Sequence, residues 1–492
     1  AEEMSWVLAQ RAVKPPLLVG IALLGALWGT AVALVAVNAL YLCVALIGCA
    51  FILLDFRIGV VLLVLLMPIS SSTIFPHEML GVVGLNPLNL LLVGTLASYL
   101  LHAASDGSLR RFLPQPLVWL YVVPIVAAGA LGSRHVGDIA SGYVVYDLLS
   151  FDSPASYLRD EVLKPLFSVL YALLVGAAVE KSDKPEKFLL PALVSVWIMG
   201  AAVIVFVIQS GVGLGELASD TSRGFLSPLG MHANDLGRLY AVAYALLLFT
   251  FAETKDTRLK LALLASMGVV IAALVLTFSR GAFLGFVVVN VLFLLWRRDA
   301  KALIFFGLLA AVALFFLPDA VYERMESGFG SGLNVLGVLD AVSAGRIEGI
   351  WAPLIPDVLL SPIYGSGLGS ILWSDAMRMG FGVNVPPVAQ AHNAYLETVL
   401  DMGVAGLILL CAYFIHVWRG FRDLSVQTVM NPALRGFYQG GAAGLLSYLV
   451  AGVAGGYLTP RPEQVFLWLA IGMMYGQRAR KREGQNGERQ PV

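Results

Sequence analysis

Apolar stretches about as long as a bilayer is thick recur along nearly the whole chain. A hydrocarbon core of about 30 Å takes roughly 20 apolar residues per helix, and every backbone polar group inside it must be satisfied within the segment. Helices therefore suit such stretches and exposed sheet edges do not. Composition agrees: 59% of residues are hydrophobic and 13% charged, the latter about half the charge density of an ordinary soluble domain. The expected fold class is all-α, a polytopic membrane protein with about 12–14 transmembrane helices. Up to fourteen stretches qualify; the least distinct fall before residue 75, where Gly29 or Asn38 can mark the first turn and Arg57 opens the third stretch. The first stretch follows Arg11 and Lys14 and runs on without a cleavage-type small-residue site, so it is expected to stay as an anchor. Cys43, Cys49 and Cys411 all lie within apolar runs and read as packed or lipid-facing thiols, not as a disulfide framework or metal site.

The tail after residue 478 is basic, with Arg478, Arg480, Lys481, Arg482 and Arg489. The positive-inside rule places it in the cytoplasm, and an even number of spans brings the N-terminus to the same side. Alternation then sends most of the chain's lysines and arginines inward. The outer side keeps ten: Arg134, Arg159, Lys164, Arg223, Arg238, Arg280, Arg324, Arg346, Arg378 and Arg461. All but one are arginine, whose planar fork binds two phosphate oxygens at once, whereas lysine is a point charge. An arginine bias on the side disfavoured for positive charge points to anion binding; each arginine taken singly also reads as a solvated loop residue.

One outer loop is far longer than the rest, running from about 318 to 390, and its Trp, Leu and Pro content argues for a folded element packed on the membrane domain. Within it, Ile347, Ile350, Trp351 and Leu354 form the apolar side of a short helix with Arg346 at its N-terminus, where backbone N–H groups also favour an anion. Gly365, Gly367 and Gly369 follow, a run that permits tight turns or close backbone approach but is a weak phosphate signal. The loop ends at Ala391-His392-Asn393-Ala394-Tyr395-Leu396-Glu397, directly before an apolar span containing Gly403 and Gly406. His392 reads either as an interfacial histidine bonded to its neighbours or as a working group. Earlier, Ser279-Arg280-Gly281-Ala282-Phe283-Leu284-Gly285 sets Arg280 in a turn of only a few residues between two apolar spans. Charge held that close to hydrocarbon is costly, and functional by default.

Taken together, the S-R-G-A-x-L-G element at Arg280, the G-R, Trp and P-x-x-G-x-G-x-G series from Gly345 to Gly369, and A-H-N-x-Y-L-E before a G-x-x-G span resemble the O-antigen ligase and polymerase superfamily. The motifs cover roughly residues 210–415, and Arg223 ahead of Asn234 fits the same pattern. The resemblance implies a GT-C-like glycosyltransferase of the bacterial inner membrane, with its active site facing the periplasm. Its donor would be a glycan on undecaprenyl pyrophosphate, and its acceptor the lipid A core oligosaccharide of lipopolysaccharide. His392 and Arg280 would be catalytic, and Arg159, Arg223, Arg280 and Arg346 would hold the pyrophosphate. The expected layout is a membrane domain over 1–317, the periplasmic loop over 318–393, C-terminal spans over 394–478 and a cytoplasmic tail over 479–492.

Such a transfer must stabilise the leaving pyrophosphate and take a proton from the acceptor hydroxyl. Arginines serve the first need. A histidine with an ordinary pKa near 6.5 serves the second, or donates a hydrogen bond to phosphate instead. No D-x-D, E-x-D or H-E-x-x-H occurs in an outer loop, so no cofactor or metal is expected and the arginines are read as taking the metal's place. His77, His102, His135, His232 and His416 are read as structural or interfacial, and Asp160 and Glu161 either as an ordinary surface ion pair or as groups that orient a base or an arginine. Ligase is the first reading. A polymerase would use the same donor with a second lipid-linked repeat as acceptor. A transporter of lipid-linked oligosaccharide would place charges near the midplane, whereas here the spans read as almost free of buried charge.

Overall fold

The protein is described by a computed structural model over residues 29, 37–73, 75–76, 78–79, 82–106, 112–141, 143, 151–211, 226, 229–298, 345–380 and 388–487. It is a helical bundle. The principal helices are α1 (Val37–Leu54), α2 (Phe56–Leu66), α3 (Pro87–Asp106), α4 (Val123–Gly132), α5 (Lys164–Glu180), α6 (Leu189–Ser210), α7 (Ala233–Glu253), α8 (Thr257–Leu276), α9 (Arg280–Arg297), α10 (Ala352–Leu360), α11 (Ala394–Ser425), α12 (Pro432–Ala451) and α13 (Val465–Gly487). The described strands form one small antiparallel pair, with Glu78 opposite Val83 and Met79 opposite Val82. Among the described residues, eight helical stretches are long and apolar enough to cross a membrane. The expected all-α polytopic class is what the chain adopts.

Helix starts follow from short polar side chains that accept bonds from the otherwise orphaned first N–H groups. Asp55 caps α2, Asp256 caps α8, Ser279 caps α9, Asn393 caps α11 and Asn431 caps α12. Leucine, isoleucine and valine side chains such as Leu101, Leu190, Ile208, Leu261 and Leu295 point outward from the bundle, as lipid requires.

Burial separates the helices into a centre and a rim. In α7, 83% of the apolar window is buried; in α9, 22%. α12 lies antiparallel on α7 along Gly436, Gly440 and Gly444, where a Cβ on Gly440 would overlap the Ala245 carbonyl and one on Gly436 the Phe249 carbonyl. α13 runs parallel to α5 by the same device, with Gly472 and Gly476 pressed on the backbone of Ala172 and Gly176. Lipid tails are as apolar as leucine, so close backbone contact, not hydrophobicity, holds membrane helices together. That is why central helices can be rich in glycine.

α11 is broken at Gly403, whose φ is 65° and ψ −175°. The break exchanges partners one for one. Val404 and Ala405 N–H groups donate to the Pro362 and Ile363 carbonyls at 2.9 and 3.1 Å, while the Leu400 and Asp401 carbonyls accept from Ser366 and Gly367 N–H at 2.9 Å each. Non-helical backbone at membrane depth is tolerated where protein satisfies it in this way. The described part of the long loop is thereby stitched into the membrane domain, as expected for a folded loop. Leu368 N–H also donates to the Ala128 carbonyl of α4, and Tyr157 hydroxyl donates to the Leu368 carbonyl. The glycine run has a packing explanation. A Cβ on Gly365 would meet the Asp401 backbone, one on Gly367 the Gly132 backbone, and all three glycines have positive φ.

Candidate active site

Arg280 is the first residue of α9. It follows a sharp junction in which Phe278 adopts φ 48° and Ser279 caps the new helix by accepting from Ala282 N–H. Gly237 of α7 makes room for this junction, since a Cβ there would overlap Ala282 and crowd Thr277. A cation at a helix N-terminus opposes the helix dipole. The fold therefore holds positive charge and helix N–H groups at the same spot, an arrangement suited to an anion.

Arg346 opens the helix that runs through a wide turn at Ile347–Trp351 into α10, the helix expected from the sequence. Leu354 is fully buried on its apolar side. The Arg346 guanidinium donates to the Ala454 carbonyl at 2.8 Å.

His392 sits at the apex of the turn that leads into α11, with φ 52°. Non-glycine residues with positive φ are uncommon and persist where the surroundings over-determine them. Here both neighbours are fixed. The Ala391 carbonyl accepts from Trp351 Nε1 at 2.8 Å, the Ala391 N–H donates to Glu397, and the Asn393 side chain caps α11 by accepting from Tyr395 and Leu396 N–H. The imidazole is half-buried.

One landmark, the turn Gly452–Ala454 after α12, is bonded by Arg346 and touched by residues next to Arg280 and just after His392 in the chain. Gly281 faces Ala454, Arg346 bonds the Ala454 carbonyl, and Gly452 faces Ala394 and Tyr395 at the start of α11. Tyr395 hydroxyl donates to the Leu449 carbonyl at 2.7 Å and locks α11 to α12. Residues separated by more than a hundred positions in sequence thus gather at one end of the bundle. Arg159 stands apart: its guanidinium is 41% exposed and pairs with Asp160 at 2.9 Å. Arg223 lies outside the described residues, as do 318–344 and 381–387 of the long loop.

The same end contains a network that reading the sequence missed. Arg238 of α7, 3% exposed, pairs with Asp235 and faces Glu463 at 3.6 Å. Arg461 bonds Glu161 at 2.9 Å and lies over the Tyr457 ring, 4.2 Å from its centroid. Burial alone would lower the Arg461 pKa, but Glu161, Tyr457 and Glu463 raise it above the ordinary value, so the cation is fixed. Gln464 donates to the Tyr448 hydroxyl and to the Tyr457 and Thr459 carbonyls. The Arg238 side chain lies against Gly456, so the network buttresses the chain just beyond the Gly452–Ala454 turn.

One expectation needs correction and another is divided. The spans are not almost free of buried charge: Arg238, Glu397 and Asp401 all lie within spans and are at most 5% exposed. All three are near one end of the bundle, where each has a partner, Asp401 accepting from Ser370 N–H and hydroxyl. Asp160 and Glu161 also divide. Asp160 makes the surface pairing with Arg159 and Lys164, whereas Glu161 is turned inward to Arg461. The i,i+3 spacing of Asp235 and Arg238 was a visible signal for part of the network; Glu161 with Arg461 had none. Among the other histidines, His232 caps α7 through Nδ1, a structural role, and His77 lies outside the described residues.

Residues 261–411 match the family model described as O-antigen ligase, a segment that contains Arg280, Arg346 and His392. No curated protein matches the chain.

Proposed function

We propose that the chain, whose residues 261–411 match the O-antigen ligase family model, is an O-antigen ligase, transferring polysaccharide from undecaprenyl pyrophosphate to a sugar hydroxyl of lipid A core oligosaccharide. The protein would lie in the bacterial inner membrane with this site facing the periplasm. The observation that carries the reading is the gathering of Arg280, Arg346 and His392 about the Gly452–Ala454 turn. In this proposal the acceptor hydroxyl loses its proton to the neutral imidazole of His392 as its oxygen attacks the anomeric carbon. The bond from that carbon to the pyrophosphate oxygen breaks, and undecaprenyl pyrophosphate leaves with the electron pair. Arg280 and Arg346 receive the growing charge, with Arg223 as a further pyrophosphate ligand and Arg159 left to its pairing with Asp160. A preorganised donor aimed at developing charge is worth about 10²–10³ in rate.

Metal independence is part of the proposal. Of the carboxylates near this end, Glu161, Asp235 and Glu463 already face Arg461 and Arg238, while Glu397 accepts from Ala391 N–H and Asp401 from Ser370, which favours a site run on guanidinium groups. The deciding experiment supplies purified protein and lipid-linked glycan with either lipid A core or a second lipid-linked repeat. Extension of lipid A core is expected. Extension of the second repeat alone would make the protein a polymerase, and movement of the lipid-linked glycan across the bilayer without a new glycosidic bond would make it a transporter.

A further inference from the structure

At the opposite end of the bundle a cavity of about 480 Å³ opens between residues 112–116, α5 and the far part of α13. We propose that it binds the phosphodiester headgroup of an anionic phospholipid. Arg478 lies 15 residues beyond Glu463, roughly 22 Å along a helix, so the cavity sits at the other membrane–water boundary. Its volume falls within the range of small-molecule sites, about 300–1,000 Å³. One wall is apolar, with Leu173 beside the stacked rings of Tyr99 and Phe112, centroids 4.6 Å apart. The facing wall is one face of α13, where Tyr475, Arg478, Ala479 and Arg482 recur at helical spacing. A glycerol ester and its first methylenes fit the first wall, and phosphate oxygens the guanidinium forks of the second.

The charge around the cavity selects the headgroup. Arg478 and Arg482 line it together with His416 and Glu180, and Arg419 and Asp423 act on the same His416; the α13 tail adds Arg480 and Lys481 in sequence. Arg478 bonds Asp423 at 2.6 Å, and five N–H donors leave it able to reach a phosphate oxygen as well. Clusters of this size beside a membrane helix attract anionic lipid. Topological bias accounts for basic residues anywhere in this tail. It does not require two of them one turn apart on the wall of a cavity lined by aromatic rings. Lipid binding here is independent of the transfer reaction, so its test reads bound lipid and not activity.

The test is native mass spectrometry of the full chain released from detergent with phosphatidylglycerol, phosphatidylethanolamine or inorganic phosphate. One retained phosphatidylglycerol per chain is expected, with about tenfold weaker retention in Arg482→Gln, the size of one lost charge-assisted hydrogen bond. Ala479→Trp, which fills the cavity and keeps every charge, should lose the lipid altogether while unfolding at the wild-type temperature. Unchanged retention in both variants overturns the proposal. Equal retention of phosphatidylethanolamine overturns the anionic selectivity, and displacement by millimolar inorganic phosphate shows a free-phosphate site instead of a lipid site.

Discussion

The two ends of the bundle spend charge differently. At the end that holds Arg57 and the α13 tail, ion pairs are open or half-buried: Arg57 with Asp55 at 47% and 34% exposure, Arg478 at 26% with Asp423 at 63%, and Glu253 at 16% between Arg297 and Arg435 at 28% and 26%. At the end that holds His392, Arg238 and Glu463 are 3% and 5% exposed and Arg461 and Glu161 25% and 16%. Exposed pairs contribute about 0–1 kcal/mol. Buried pairs cost desolvation that their mutual attraction only partly offsets, so they are weak sources of stability but expensive to break. At the second end charge supports a geometry, that of the turn beside Arg280, Arg346 and His392.

The largest expected effect tests whether that geometry serves chemistry. His392→Ala should slow transfer by about 10²–10⁴, the usual worth of a general base, with donor affinity nearly unchanged because the lost interaction belongs to the transition state. Rate and donor binding measured on the same membrane-inserted preparation decide it. Near-normal transfer removes the base assignment; lost donor binding makes His392 a phosphate ligand.

Next comes the direct contrast between the ends. Arg461→Ala leaves the half-buried Glu161 without its partner and should destabilise the protein by about 1–3 kcal/mol, partly recovered in the double variant with Glu161→Gln. Arg57→Gln at the open end should change stability by less than about 1 kcal/mol. Thermal unfolding of the three variants in one detergent gives the comparison, and equal losses at the two ends would erase the distinction drawn between them.

Arg280→Lys follows, with an expected loss of about 10²–10³ in transfer, close to that of Arg280→Ala. Lysine keeps the charge and loses the fork. Rescue of the rate by lysine would show that charge alone matters at this position. The smallest expected effect is none: transfer assayed in excess EDTA should keep its rate, and a loss restored by magnesium or manganese would reveal carboxylate ligands contributed by separated segments.

Much of this architecture is written locally. Runs of apolar residues dictate helices because hydrocarbon offers backbone groups no other partner, and Ser279 or Asn393 ahead of such a run marks where a helix begins. Arg280 could be singled out since a charge between two spans is conspicuous against its neighbours, and the short helix after Arg346 followed from apolar spacing. Gly365, Gly367 and Gly369 were visible as permissive backbone, but their use against Asp401 and Gly132 was not.

What the sequence by itself determined was the helical class, the sorting of basic residues into two sets, and the identity of the residues unusual for their surroundings. Those are properties of single segments in a uniform solvent. Only the tertiary structure decided which unusual residues meet. It brought Arg280, Arg346 and His392 to the Gly452–Ala454 turn, left Arg159 on Asp160, turned Glu161 inward to Arg461, and broke α11 at Gly403 so that the long loop could complete its hydrogen bonds. Such pairings depend on how close helices can approach, which glycine and alanine faces set contact by contact along α7, α12, α5 and α13. No local pattern carries that information, because each partner's position is fixed by a different helix.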